Sequence, residues 1–125
     1  GYSLLHNLET AAEVGAQVDV LTSVGGAANS HVWTQIKADI TGRTIQVPYS
    51  DSATSLGAAI LAGVGTGVYS SFEQAVAQTV RVQRVHYPQE HVHQVYRGYY
   101  QLYLELYKRL KDAFGQLYQI SQASI

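Results

Sequence analysis

The chain has 125 residues, about one ordinary domain, and 46% of them are hydrophobic, which is a globular rather than a disordered composition. Eight basic and nine acidic residues leave a net charge of −1, so no basic stripe points to nucleic acid and no polybasic cluster to an anionic membrane. With no cysteine, disulfides, thiolate metal sites and a cysteine nucleophile are excluded, and the longest apolar run, residues 58–62, is far too short to span a bilayer.

The first element is an amphipathic helix over residues 2–14, with Leu4, Leu5, Leu8, Ala11 and Ala12 at helical spacing and Gly15 as the stop. It starts without a cap, and the chain contains no methionine, even at position 1. These two features predict the C-terminal piece of something longer; a removed tag or leader is the plainer alternative, and no signal peptide is read. Residues 18–24 predict a short strand buried on at least one face, through Val18, Val20, Leu21 and Val24. A second helix runs from Ser30 to Gly42, with Val32, Trp33, Ile36 and Ile40 on one side and Lys37 and Asp39 on the surface. Residues 44–47 predict a second strand, closed by Pro48. Asp51 or Ser52 caps a third helix, from Ala53 to about residue 62, and Ser71 caps a fourth, from Phe72 to about residue 79. Residues 80–87 allow an edge strand, Pro88 begins a turn, and a long helix covers roughly residues 91–118. The sum is one α/β unit with a helical tail, without internal repeat or linker.

The stretch "LTSVGGAANSHVW", residues 21–33, carries the functional reading. Strand, glycines, then a helix start is the order that builds an anion or nucleotide seat. Glycine removes Cβ atoms so that a ligand can lie on the backbone, and the first turn of the helix offers unpaired N–H groups. Ala27 and Ala28 keep the floor low, and Asn29 or Ser30 caps the helix or turns to a ligand. The plain alternative is a tight turn that uses glycine for its backbone angles alone. No lysine follows the glycines, and Gly-x-Gly-x-x-Gly is absent, so neither a Walker loop nor a dinucleotide fingerprint is present.

Four other features are weighed against simpler roles. "GVGTG" at residues 63–67 follows a helix, where termination is favoured over phosphate binding. His91 and His93 diverge on a helix, so they and His86 are read as solvated histidines, not metal ligands; Asp39 and Asp51 are read as a surface charge and a cap. Tyr96, Tyr100, Tyr103, Tyr107, Leu110, Phe114 and Leu117 form a stripe at steps of four and three. Packing onto the domain is its favoured reading, and a homodimer contact is its functional one.

"VGGAANSHVWTQIKADITGRTIQVP" followed by "SATSLGAAILAGVGTGVYSSFEQA" resembles the C-terminal domain of the FGGY family of carbohydrate kinases, most closely its xylulokinase-type members. The matching residues are Gly25, Gly26, Ala27, Ser30, Gln35, Ala38, Asp39, Thr41, Gly42, Pro48, Leu56, Gly57, Ala58 and Ala59. "GYSLLHNLE" resembles the helix that ends the family's second signature, and the likeness covers about residues 1–77 well. Where the family often has a third glycine before the pair, this chain has Val24. The resemblance implies part of an actin-like ATPase (ribonuclease H-like) fold with a long C-terminal helix, and residues 1–125 as the C-terminal part of its nucleotide-side domain. It implies ATP with Mg²⁺, an adenosine pocket lined by Gly25, Gly26, Ala27 and Ser30, and no catalytic or metal-ligating residue within these positions. The sugar, a ketopentose with D-xylulose foremost, and the aspartate base would be held upstream, so this chain alone is predicted inactive. A cytoplasmic protein without nucleic-acid or membrane partners is expected. The alternative is a non-catalytic nucleotide-binding or oligomerisation module built on the same fold fragment.

Overall fold

The computed structural model describes residues 1–49 and 52–123. In chain order they form α1 (Tyr2–Glu13), β1 (Val20–Thr22), a 3₁₀ turn (Gly26–Asn29), α2 (His31–Thr41), β2 (Thr44–Pro48), α3 (Ala53–Gly65), α4 (Phe72–Thr79), β3 (Val82–His86) and α5 (Glu90–Ala123). Among the described residues the strands make one sheet in the order β1-β2-β3. β1 runs parallel to β2, with Leu21 opposite Ile45, and α2 is the crossover between them. β3 is antiparallel to β2, with His86 opposite Ile45 and Arg84 opposite Val47.

The element types follow the sequence, and several boundaries and faces differ. β1 is shorter than expected, and Val20 and Thr22 are exposed while Leu21 is half-buried. Among the described residues it pairs with β2 only, at one edge of the sheet. α2 begins at a Ser30 cap, whose Oγ accepts from the Trp33 amide at 3.2 Å, and ends at Gly42, which is left-handed at φ 65°. Its inward face is only partly the one expected: Ile40 is buried and Ile36 packs against the core, as expected, but the first turn faces outward. Val32 is 71% exposed and Trp33 41%, whereas Thr34, Ala38 and Thr41 are buried at the i, i+4, i+7 positions, beside Asp39 and Ile40. The two threonines satisfy themselves: Thr34 Oγ1 donates to Ser30 O at 2.9 Å and Thr41 Oγ1 to Lys37 O at 2.7 Å.

α3 runs three residues past the expected end, into the "GVGTG" stretch, and terminates there. The amides of Val68 and Tyr69 donate to Gly63 O at 2.8 and 3.1 Å, and the Tyr69 ring lies where a Cβ on Gly63 would sit. Ser71 caps α4 as expected, accepting from the Gln74 amide at 3.2 Å. Of the two cap candidates for α3, Ser52 precedes the helix and Asp51 lies outside the described residues.

α5 has 34 residues, about 50 Å at ~1.5 Å per residue, and continues to Ala123 because no glycine or proline stops it after Tyr118. Its first half packs on α1 and α2 through Tyr100, with Leu5 and Ile40, and Tyr2, Ile36, Tyr96 and Leu104 close around them. A salt bridge from Arg97 to Glu9 ties α5 to α1. Packing therefore accounts for the near part of the tyrosine stripe. From Tyr107 onward the stripe is exposed, including Leu110, Phe114 and Leu117.

Candidate nucleotide site

The glycine turn projects from the end of β1. The Ser23 amide still follows the ladder, donating to Gln46 O at 2.8 Å, and the chain then bends at Gly25 with φ 82° and ψ 179°. That backbone region is essentially open to glycine alone, so Gly25 answers to the plain turn reading. Gly26 does not. Its φ is not positive, and a Cβ placed on it would meet nothing within 4 Å. Neither conformation nor packing within the described residues demands glycine there. The amides of Gly26 and Ala27, the first of the turn, donate no hydrogen bond among the described residues. Gly25, Gly26, Ala27 and Ser30 are all exposed, while Ala28 is buried and anchors the turn through its amide, 2.9 Å from Gly25 O. The Ser30 hydroxyl faces back to cap α2. An apolar hollow of about 200 Å³ adjoins the turn, walled by Val24, Pro48, Leu56, Gly57 and Ile60.

Behind the turn lies a polar network that sequence reading did not find. The Arg84 guanidinium donates to Ala28 O, and its Nε donates to His86 Nε2 at 3.2 Å. A donor on Nε2 leaves the proton on Nδ1, which lies 3.1 Å from Gln35 Oε1. Gln35 Nε2 then donates to Asp39 Oδ1 at 2.9 Å and to Tyr87 O at 2.8 Å, and the Gln89 amide donates to the same Asp39 oxygen at 2.8 Å. His93 Nδ1 donates to Asp39 O at 2.7 Å. Asp39, read as a surface charge, is 4% exposed, and His86, read as solvated, is 9% exposed. His91 is exposed, as expected of a helical i, i+2 pair, while His93 turns inward. Lys37 is half-buried: its Nζ donates to Ser23 Oγ at 2.8 Å, and burial lowers its pKa. The signal that could have found the network is the i, i+2 pair Arg84 and His86, whose strand partners Val47 and Ile45 are buried on one face of β2.

Burial, then the Arg84 charge and His31, hold the His86 imidazole below its ordinary range, against a smaller opposing pull from Asp39. The unfolded chain therefore takes this proton first as pH falls below about 6.5, and stability drops until the folded imidazole titrates in turn. Urea midpoints at pH 7.5 and 5.5 are expected to differ by less in His86→Gln than in the wild type. Equal differences would remove His86 from the acid sensitivity.

The sequence model of the FGGY family of carbohydrate kinases, C-terminal domain, matches residues 1–66. The chain belongs to this family. It is 33% identical over 120 residues to a xylulose kinase of Staphylococcus epidermidis, covering 96% of this chain and 24% of that protein. An autoinducer-2 kinase of Salmonella paratyphi B is 44% identical over 89 residues, 71% of this chain and 17% of that protein. The fold matches a xylulose kinase structure from Lactobacillus acidophilus with a TM-score of 0.84 at 19% identity, over 93% of this chain and 24% of that one. The chain thus spans about a quarter of the length of the xylulose kinases it resembles. The FGGY domain is helix-rich here, with a small sheet and a long last helix. No helix among the described residues is long and apolar enough to cross a membrane.

Proposed function

We propose that these residues are the nucleotide-side, C-terminal part of an ATP-dependent sugar kinase whose acceptor is a ketopentose, D-xylulose foremost. The supporting observation is Gly26, a glycine with no conformational or packing reason within the described residues, placed between two exposed, undonated amides on a family-typical turn. Gly25, Gly26, Ala27 and Ser30 would line the adenosine side of the seat, with backbone N–H groups as donors. The fold would be a fragment of an actin-like, ribonuclease H-like ATPase, with the sugar and the carboxylate base held by the N-terminal part of a longer polypeptide. A sugar hydroxyl would attack the γ-phosphorus, its proton passing to that base, and the bond to ADP would break; positioning and charge neutralisation carry such a transfer. Mg²⁺ would accompany the ATP phosphates. Among the described residues no group of three or more His, Asp or Glu side chains could hold a metal ion, so its ligands are not assigned to this chain. ATP supply places such an enzyme in the cytoplasm.

Similarity to a xylulose kinase over nearly the whole chain favours xylulose over the acceptor of the autoinducer-2 kinase, which matches a shorter stretch. A second reading, an oligomerisation module, is favoured by the exposed outer half of α5 and would add a homodimer contact there. The test is ADP release by the complete polypeptide with a panel of ketoses, polyols and gluconate. D-xylulose is expected to give a kcat/KM at least tenfold above the others, and residues 1–125 alone no turnover. A preference for another sugar would replace the acceptor. Nucleotide binding without sugar-dependent ADP release would leave the module.

A further inference from the structure

The glycine turn is pinned from both sides by long cationic side chains that belong to other elements. At its entrance, Lys37 of α2 holds Ser23. At its exit, Arg84 of β3 holds the Ala28 carbonyl, while the Ala28 amide closes on Gly25 O. Gly26 and Ala27 lie between these fixed points, so the direction of their amides depends on where Ala28 is held. Arg84 stands at the end of the regular part of the β2–β3 ladder, next to its irregularity. Val47 pairs with Arg84 and Pro48 with Val82, which leaves Gln83 as an extra residue on β3.

Arg84 is half-buried and, among the described residues, forms no salt bridge. A guanidinium offers five donors and is most readily placed against a carboxylate. Here its assigned bonds go to a carbonyl of the turn and to an imidazole that the Gln35–Asp39 pair orients. A side chain wanted for sheet packing alone at this position would be apolar, like its strand partner Val47.

We infer that Arg84 is a positioning residue for nucleotide binding: it sets the Gly25–Ala28 turn, and His86 and Gln35 set Arg84. The inference rests on the nucleotide reading of the turn. The residue touches no reacting atom, so its removal weakens the nucleotide and spares the sugar.

The test uses the complete polypeptide with Arg84→Met, which keeps the stem and loses every donor. Calorimetry with ADP, steady-state KM values for ATP and sugar, and thermal melts are read together. The Kd for ADP and the KM for ATP are expected to rise five- to twentyfold, with sugar KM within twofold. Arg84→Lys, with a single donor head, is expected to recover part of the loss. Unchanged ADP affinity in folded Arg84→Met overturns the inference, and so does a parallel loss of ATP and sugar binding with a lowered Tm. Where Arg84→Met does not fold, Arg84→Gln, polar but too short to reach the carbonyl, is read on the same scale. Gly26→Val separates the two layers. If it leaves ADP affinity unchanged, the nucleotide reading of the turn fails. If it weakens ADP while Arg84→Met does not, the positioning role alone fails.

Discussion

Gly26→Val in the complete polypeptide is expected to raise the KM for ATP about tenfold or more, leaving the KM for sugar and the Tm nearly unchanged. Tenfold corresponds to about 1.4 kcal/mol of binding, a modest demand on a branched side chain placed over two backbone donors. The separation from stability is what makes the substitution informative. Gly25 would confound it, because at φ 82° and ψ 179° any side chain there is strained by about 1–3 kcal/mol before a ligand is considered. Gly26 has no positive φ and open space in front of it, so a valine there meets only what lies beyond the described residues. Steady-state kinetics with ATP and sugar varied in turn, beside a thermal melt, give the answer. An unchanged ATP KM would remove Gly26 from the site; a rise in both KM values together with a lowered Tm would mark it as structural.

What could be read from the sequence was what is local. Strand, glycine pair and capped helix occupy a dozen consecutive residues, and Ser30, Gly42 and Ser71 sit where their cap chemistry places them. Ile36 and Ile40 face inward as expected, and the misread positions share one cause: the other inward residues are small or polar. Thr34, Ala38 and Thr41 do not register as an apolar stripe, yet threonines that donate to their own helix bury at little cost, whereas Val32 and Trp33 drew attention and point outward. On β3 the inward pair is Arg84 and His86 while Val82 and Val85 are exposed, the reverse of the pattern expected of a half-buried strand. The candidate site inherits this division. Its front, the glycine turn, was legible; its back depends on contacts across about fifty residues, from Gln35 to His86 and from Ala28 to Arg84, which no local pattern carries. The long helix was legible as a helix, but periodicity is the same for Tyr100, which is buried, and Tyr107, which is not.

Tyr100→Ala is expected to cost about 3–5 kcal/mol, the range for emptying a buried aromatic site. Tyr100 is 0% exposed and sits where α1, α2 and α5 meet, between Leu5 and Ile40. Its ring is stacked 6.1 Å from Tyr103 and lies 5.6 Å from the Arg97 guanidinium carbon, so truncation also removes aromatic and cation–π contacts. Against a total of roughly 5–15 kcal/mol for a domain, the loss is large. Tyr100→Phe separates ring from hydroxyl. The buried oxygen makes no well-formed hydrogen bond among the described residues, and the nearby Glu9 carboxylate is already held by Arg97, so deleting the hydroxyl is expected to change stability by less than about 1 kcal/mol at neutral pH. The two variants should also part at high pH. Burial first, and the nearby Glu9 carboxylate second, push the Tyr100 phenol up to about 12. The unfolded chain ionises this group near its ordinary value of about 10, so the wild type loses stability as pH rises from there towards 12, and Tyr100→Phe loses less over the same interval. Urea midpoints at pH 8 and 11 read this directly. A Tyr100→Ala protein as stable as the wild type would mean that α5 is held by something other than the core it shares with α1 and α2.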